Sequence, residues 1–501
     1  MSDTYRYSPF QITKAQKDTI IALAKNRNTR PVHILDTSVA LGRYDEMSQA
    51  FSGNNTVISY FVKGQSNETL LADIIDHGMK KEKEQGQSRL GMAVANAGEI
   101  KKCIEAAGKV GITREEIAAR ITLANPNMQE EDIVFALDAG VRNFVVQNPR
   151  QLLRLFEKAK EHGVQQDVGI ITRILPKAQN PGSDKFGADS DTCKAMLRFA
   201  RNVGMKPKGL ACHMGWQIDT AQGTREATEY AFASMADIFK TMKEEHNVEL
   251  STLDLGGGQP NQFNGSPVQA ISANAAIVNN LMHIYFPDDK PEIMLEPGNY
   301  LSAAAGVTKA NLINIDDMPG EPRKLRCVLN AGMFNGGLVD GHYPVSMLIG
   351  TEVVEAFAKA LPSDDGNAKA TLFGPSGISY DKVLADIVLV DNPKVRNQIA
   401  KMMKGNDAAA QLSDALEALD KSGLDTEAAK EQKEHLITEA LKQLDIPPVT
   451  LILHGTGAYT NELSSGESGK PGFNSILNPE VIVISAREPH RNNAVQSQPG
   501  R

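Results

Sequence analysis

Residues 143–163, NFVVQNPRQLLRLFEKAKEHG, carry one strand and one helix in immediate succession. NFVVQN reads as a short apolar strand that stops on polar residues. PRQLLRLFEKAKEHG is an amphipathic helix that closes at Gly163. The same unit recurs on both sides. VISYFVK (57–63), GMAVAN (91–96) and ITLAN (121–125) precede it, and GIITRI (169–174), GLACHMG (209–215), LDLGGG (253–258) and IMLEPG (293–298) follow. Each is a short run ending in a polar residue or glycine, and stretches such as AGEIKKCIEAAG fill the intervals with helix. Strands alternating with helices build βαβ units and a parallel sheet. Eight in a row predict a closed (β/α)8 TIM-like barrel in preference to an open doubly wound sheet.

The chain has 501 residues, more than one barrel needs, and its 41% apolar content suffices for a large core. A net charge of −8 leaves no basic excess for a phosphate backbone, which argues against nucleic acid as a partner. Cys103, Cys193, Cys212 and Cys327 lie far apart without a CxxC pair, against a disulfide framework or a structural metal site. The opening MSDTYRYSPF lacks an apolar signal core, and no run approaches the ~18 apolar residues of a membrane span. The expected location is the cytoplasm, with no membrane partner.

Beyond residue 300 the texture changes. KLRCVLNAGMF, YPVSMLIG, KATLFGPSG, DIVLVD, VTLILHGTGAY and VIVIS read as strands without regular helices between them. The expected organisation is a barrel over 40–305 and a mostly β domain over 306–485. Residues 1–39 join the second, because PVHILD (31–36) precedes the first barrel helix. A helical hairpin over 398–446 interrupts the β domain. QLSDALEALDKSG sets Leu412, Leu416 and Leu419 on one face and stops at Gly423. TEAAKEQKEHLITEALKQL sets Ile437, Leu441 and Leu444 on one face and runs to Pro447. A solvated decoration is the plain reading of this insert. Residues 486–501 are polar and expected to form a mobile tail.

In a barrel of this kind the chemistry sits at the C-terminal strand ends. Lys63, Arg173, His213, Gly256 to Gly258 and Glu296 all fall there. A lysine amine in a partly desolvated site forms a Schiff base with a carbonyl, and pyridoxal 5'-phosphate (PLP) is the cofactor most often held so. Three glycines let the backbone approach an anion such as its phosphate. Glu296 is placed to keep the pyridine nitrogen protonated, and His213 offers the ring a flat face. Taken singly, each has a plainer meaning: a surface lysine, a turn, a salt-bridging carboxylate, a hydrogen-bonded histidine.

Taken together they carry a resemblance. FVKGQSNETLL, TRI, KFGADS, ACHMGWQ, LDLGGGQP, LEPGNY, FGPSGISYD and HGTGAYT occur in that order. In this the chain resembles the fold-type III (alanine-racemase-like) PLP-dependent decarboxylases of ornithine, lysine, diaminopimelate and arginine, from about residue 31 to about 478 outside the insert. The resemblance implies that Lys63 is the Schiff-base lysine, His213 stacks on the ring and Glu296 meets its nitrogen. It gives Gly256, Gly257, Gly258, Gly298 and Tyr459 to the phosphate, and Arg173 to the neighbourhood of the cofactor's oxygen. Asp340 matches an acid that grips the distal amine of a basic substrate, and Phe473 with Asn474 lies beside it. The family forms homodimers with shared active sites, and Lys185 and Asp381 match residues that pair across the interface.

Four departures accompany it. Gly377 and Ile378 stand where the family has cysteine and aspartate, the first used to return a proton and the second to hold the substrate. Asn299 replaces a phosphate-binding arginine, Trp216 a phosphate-binding serine, and Ala93 with Asn96 the turn that carries an aspartate near the lysine. Losing one charge-assisted hydrogen bond to phosphate costs about 1.5–3 kcal/mol. The implied activity is PLP-dependent decarboxylation of an amino acid, a basic one being the first candidate. Open alternatives are other PLP chemistry on this scaffold (D-amino acid or diaminopimelate-like decarboxylation, racemisation, decarboxylation-dependent transamination) and a non-catalytic regulatory homologue.

Overall fold

The computed structural model describes residues 12–26, 30–85, 88–176, 186–213, 221–259, 270–288, 290–318, 324–332, 345–359, 369–374, 382–422, 426–444, 449–454, 456 and 480–487. Strand β1 (Val32–Asp36) comes first. Eight parallel strands follow: β2 (Thr56–Phe61), β3 (Arg89–Val94), β4 (Ile121–Ala124), β5 (Asn143–Val146), β6 (Gly169–Arg173), β7 (Lys206–Ala211), β8 (Thr252–Asp254) and β9 (Glu292–Leu295). They close in sequence order, β9 pairing back onto β2. All eight strand signals of the sequence are barrel strands.

The unit at 143–163 shows why the pattern folds this way. Asn148 caps the helix Pro149–Glu161 by accepting the Gln151 N–H at 2.9 Å, and Pro149 supplies the fixed φ of a first helical position. Leu152 and Leu155 go into the core. Gly163 then turns the chain at φ +68, in the left-handed region, and its N–H finds Lys160 O. Barrel strands are covered on both faces, hence their nearly continuous apolar runs. Phe61, Ala93, Ala124, Val145, Ile171 and Ala211, one from each of β2 to β7, form a separate apolar layer inside the barrel.

The remaining strands are β10 (Gly306–Met318), β11 (Lys324–Leu329), β12 (Val345–Ile349), β13 (Glu352–Lys359), β14 (Lys369–Phe373), β15 (Lys382–Leu389), β16 (Val449–His454) and β17 (Glu480–Ile484). With β1 they make a nine-stranded sheet ordered β11-β14-β15-β13-β12-β16-β10-β1-β17. β1 lies between β10, antiparallel, and β17, parallel. Two of these strands, β10 and β13, gave no signal in the sequence. β10 is central and buries Thr308, Lys309 and Asn311, so its apolar pattern is broken. β13, EVVEAFAK, has the composition of a helix but pairs with β12 and β15.

Three boundaries differ from expectation. The first barrel helix starts at Thr37, within the residues 1–39 expected to join the β domain, because Asp36 caps it and leaves no linker after β1. The insert starts at Pro393, not 398: the helix Pro393–Asp420 is capped by Asn392 and buries Val395 and Ile399 in the sheet's core. Leu419 is buried, Leu412 and Leu416 half-buried, whereas Ile437 on the second helix, Thr426–Leu444, is 40% exposed. Leu441 and Leu444 fall in that helix, while Gly423 and Pro447 lie outside the described residues. Of the expected tail, Ala486 and Arg487 are fastened to the barrel, and residues 488–501 lie outside the described residues. Ala486 N–H donates to Thr37 Oγ1 at 2.8 Å, and Arg487 pairs with the wholly buried Asp73, which also accepts from Thr37 and Ser485 hydroxyls.

Candidate functional site

Lys63 lies in a single 3-10 turn, Val62–Gly64, at the end of β2. This turn is pressed against the one that follows β9. A Cβ on Gly64 would stand 3.0 Å from Gly298 C, and a Cβ on Gly298 would stand 3.0 Å from Phe61 O. Glycine at both positions brings the Lys63 turn and Glu296-Pro297-Gly298 backbone to backbone. Lys63 is exposed at the barrel mouth, with Nζ 4.0 Å from the centroid of the Phe61 ring.

Glu296 is 3% exposed, and its N–H donates to Gly256 O at 2.8 Å. Its Oε1 accepts no hydrogen bond among the described residues. Burial pushes its carboxyl upward, against the pull of Arg173 and Lys63. The glycine turn after β8 is equally tight. Gly256 and Gly258 sit at φ +67 and +87. A Cβ on Gly256 would meet His213 Nδ1 at 2.7 Å, and one on Gly257 would meet Glu296 O at 2.5 Å. Only glycine fits this turn between β7 and β9.

His213 follows β7. Burial, reinforced by the positive Arg173 and Lys63, pushes its pKa down to about 3. The neutral ring accepts the Gly257 N–H on Nδ1 at 3.3 Å, which assigns its own proton to Nε2. Arg173, at the end of β6, is 7% exposed and lies 5.8 Å from the Phe186 ring. Its Nε has no partner among the described residues.

The structure thus brings together Lys63, Arg173, His213, Gly256 to Gly258, Glu296 and Gly298 at the C-terminal ends of five barrel strands. It adds Asp254, which sequence reasoning passed over. Asp254 is wholly buried, and its Oδ1 accepts the Gly256 N–H at 2.8 Å. The signal was an acid at the end of an apolar strand, one residue from the glycines. Of the departures, Ala93 belongs to the apolar layer, Asn96 caps the helix Ala97–Gly108 by accepting from Glu99 N, and Asn299 is buried in the helical turn after Pro297. Trp216, Lys185, Asp340, Gly377, Ile378, Asp381, Tyr459, Phe473 and Asn474 lie outside the described residues.

An amine, a buried carboxyl, a neutral flat ring and a turn that admits no side chain are the groups a flat, phosphorylated pyridine aldehyde requires. The buried, unpartnered Glu296 Oε1 and the cradle at Gly256 and Gly257 fit it. On a (β/α)8 barrel this set defines a PLP protein. Residues 41–303, over half the chain, match the family described as pyridoxal-dependent decarboxylase, pyridoxal binding domain, and the chain belongs to that family. It is 27% identical over 274 residues to an ornithine decarboxylase of Caenorhabditis elegans, covering 53% of this chain and 61% of that one. Over 214 residues it is 29% identical to antizyme inhibitor 2 of Xenopus laevis, covering 42% and 43%. The matched stretch spans about six-tenths of the length of the ornithine decarboxylases. A solved lysine/ornithine decarboxylase from Vibrio vulnificus, complexed with putrescine, shares the fold with a TM-score of 0.63 at 19% identity, over 94% of this chain and 99% of that one.

Proposed function

We propose that the chain is a PLP-dependent carboxy-lyase that removes CO2 from an amino acid, a basic one in the first instance. The observation that carries this reading is the packing of the Lys63 and Glu296 turns through Gly64 and Gly298. It sets an amine and a buried carboxyl at one barrel mouth, beside His213 and the glycine turn. Bound PLP supplies the electron sink that takes the pair left when the Cα–carboxylate bond breaks.

In this reading Lys63 Nζ would hold the cofactor, at the place where the substrate's α-amine would also have to bind. Glu296 keeps a proton at the ring nitrogen, and the neutral His213 supports the ring without adding charge. The turn of Gly256 to Gly258, whose Gly256 and Gly257 N–H groups donate to Asp254 and His213, would cradle the phosphate by its lack of side chains, with Gly298 and Tyr459. Arg173 stands near the cofactor's oxygen. Asp340 receives the substrate's distal amine, with Phe473 alongside. A proton must then reach the α-carbon, and Gly377 carries no acid, so water or another side chain delivers it. The active unit is a homodimer with shared sites, to which Lys185 and Asp381 contribute an ion pair, in the cytoplasm.

The test is an absorbance spectrum before and after borohydride, with Lys63→Ala beside the wild type. The expected wild type carries a visible band that borohydride bleaches while fixing the cofactor to the chain. Lys63→Ala fixes none and loses about a thousandfold or more in CO2 release from ornithine, lysine or arginine. A colourless protein that refuses added PLP overturns the reading. Asn299 in the phosphate arginine's position and the likeness to an antizyme inhibitor favour a second reading, a non-catalytic regulatory homologue. That reading requires no CO2 from any amino acid, even in protein saturated with PLP.

A further inference from the structure

Beneath the site lies a second buried acid. Asp254 ends β8 and Glu296 follows β9, and the strands pair Asp254 with Met294, two residues before Glu296. The two side chains therefore point to the same face of neighbouring parallel strands. Asp254 is 0% exposed and Glu296 3%. Asp254 Oδ1 accepts the Gly256 N–H at 2.8 Å, while Asp254 Oδ2 and Glu296 Oε1 have no hydrogen-bond partner among the described residues.

We propose that Asp254 is a positioning residue that remains a neutral acid, fastening the glycine turn through Oδ1 while leaving Glu296 the only carboxylate that answers the ring nitrogen. The argument is one of charge. Arg173, at the end of β6, is a buried guanidinium that acts on both acids, the one such group among the described residues, and Lys63 acts on Glu296 from the turn after β2. His213 is neutral, and the Cys212 thiol, whose backbone N–H donates to Asp254 O, is pushed up to about 12 by burial, so neither adds a positive charge. Two ionised carboxylates in this dry space repel each other, and one resolves the conflict by keeping its proton. The one that keeps it is Asp254, 0% exposed against 3% for Glu296 and without the Lys63 charge that acts on Glu296. Burial first, then the charge of Glu296, raises its pKa well above the usual carboxylate range, against Arg173 and the Gly256 N–H. One side chain thereby ties the phosphate turn to the ring-nitrogen site.

This rests on the PLP reading, and the experiment separates the two. Asp254→Asn keeps an acceptor for Gly256 and imitates the neutral acid. Its expected PLP affinity is within about threefold of wild type, and the pH dependence of its visible band is unchanged. Glu296→Gln displaces that pH dependence. Asp254→Ala loses the acceptor and binds PLP about tenfold more weakly. A second arm needs no cofactor. An acid whose pKa is raised on folding loses stability as pH rises from the unfolded value, so the thermal stability of Asp254→Asn relative to wild type should grow between pH 4 and pH 8. If Asp254→Asn displaces the band as Glu296→Gln does, or if the stability difference stays flat over that range, the proposal is overturned. Wild type that takes up no PLP sinks the cofactor reading alone, and the stability arm still decides this one.

Discussion

The barrel and the nine-stranded sheet solve different problems. Barrel strands all run one way, so their C-terminal ends converge, and every described site group sits on such an end. Sheet strands run both ways, and its candidate contributions fall between strands: Asp340 between β11 and β12, Tyr459 and Phe473 between β16 and β17. Convergence is built into a parallel barrel, and a mixed sheet has no such common end. Among the described residues, polar groups also fasten the two regions. Gln16 Nε2 donates to Ala305 O at 2.9 Å, and Asp73 collects Thr37, Ser485 and Arg487.

The sharpest way to break this contrast is to cut that fastening. Asp73 is wholly buried, whereas the Arg487 side chain is 27% exposed. Arg487→Ala leaves the carboxylate in place with only hydroxyls for company, which is expected to cost about 3–5 kcal/mol in urea unfolding. Asp73→Asn, which removes the charge but keeps acceptors, costs less. Equal losses would mean that charge plays no part in joining barrel and sheet. Next in size is Gly257→Ala. Its Cβ would stand 2.5 Å from Glu296 O, a backbone atom that cannot swing aside. The expected loss is about 1–3 kcal/mol, together with weaker PLP binding in equilibrium titration. Unchanged binding would show that the glycine turn has slack and is no cradle.

The same contrast governs what the sequence discloses. Eight strand signals sufficed for the barrel because its strands are short, apolar on both faces and regularly spaced, and Lys63, His213 and Glu296 announce themselves at their ends. The sheet hid β10 because Lys309 and Asn311 interrupt its apolar run, and β13 because Glu, Ala and Lys are helix formers. Within the site, Asp254 escaped notice because an acid at the end of an apolar strand, fastened to one backbone N–H two residues on, reads as part of the glycine turn. Asn96, weighed with Ala93 as occupying the turn of an aspartate near the lysine, has a helix to cap, which its position before AGE already implied.

A smaller pair of effects separates the regions by pH. In the barrel, His213 stays neutral down to about 3 against an ordinary value of 6.5. Unfolding therefore takes up a proton below 6.5, and the stability that His213 contributes is lost as pH falls from there toward 3. In the sheet, Lys309 is 0% exposed, and burial pushes it down to about 8 from 10.5. Between those values the unfolded chain binds the extra proton, so stability rises with pH over that window. Thermal unfolding across pH should show an acid limb that His213→Asn flattens and an alkaline limb that Lys309→Met flattens, each about 1–2 kcal/mol. A limb that survives its own substitution belongs to another group.

The smallest effect concerns the helical hairpin, where a leucine pattern in sequence meets two different fates. Leu419, on the helix that also buries Val395 and Ile399, is 8% exposed, and Ile437 on the second helix is 40% exposed. The second helix is joined to the first by the Lys433–Asp420 ion pair at 2.6 Å, an exposed pair worth at most about 1 kcal/mol. Leu419→Ala should cost about 1–2 kcal/mol, at the low end for a buried leucine because it sits near the helix end. Ile437→Ser should stay within about 0.5 kcal/mol and leave PLP binding and the sedimentation coefficient unchanged. A larger penalty at Ile437, or a change in its sedimentation, would mean that this apolar face is covered in solution. The hairpin would then belong with the assembly of the protein and not with its ornament.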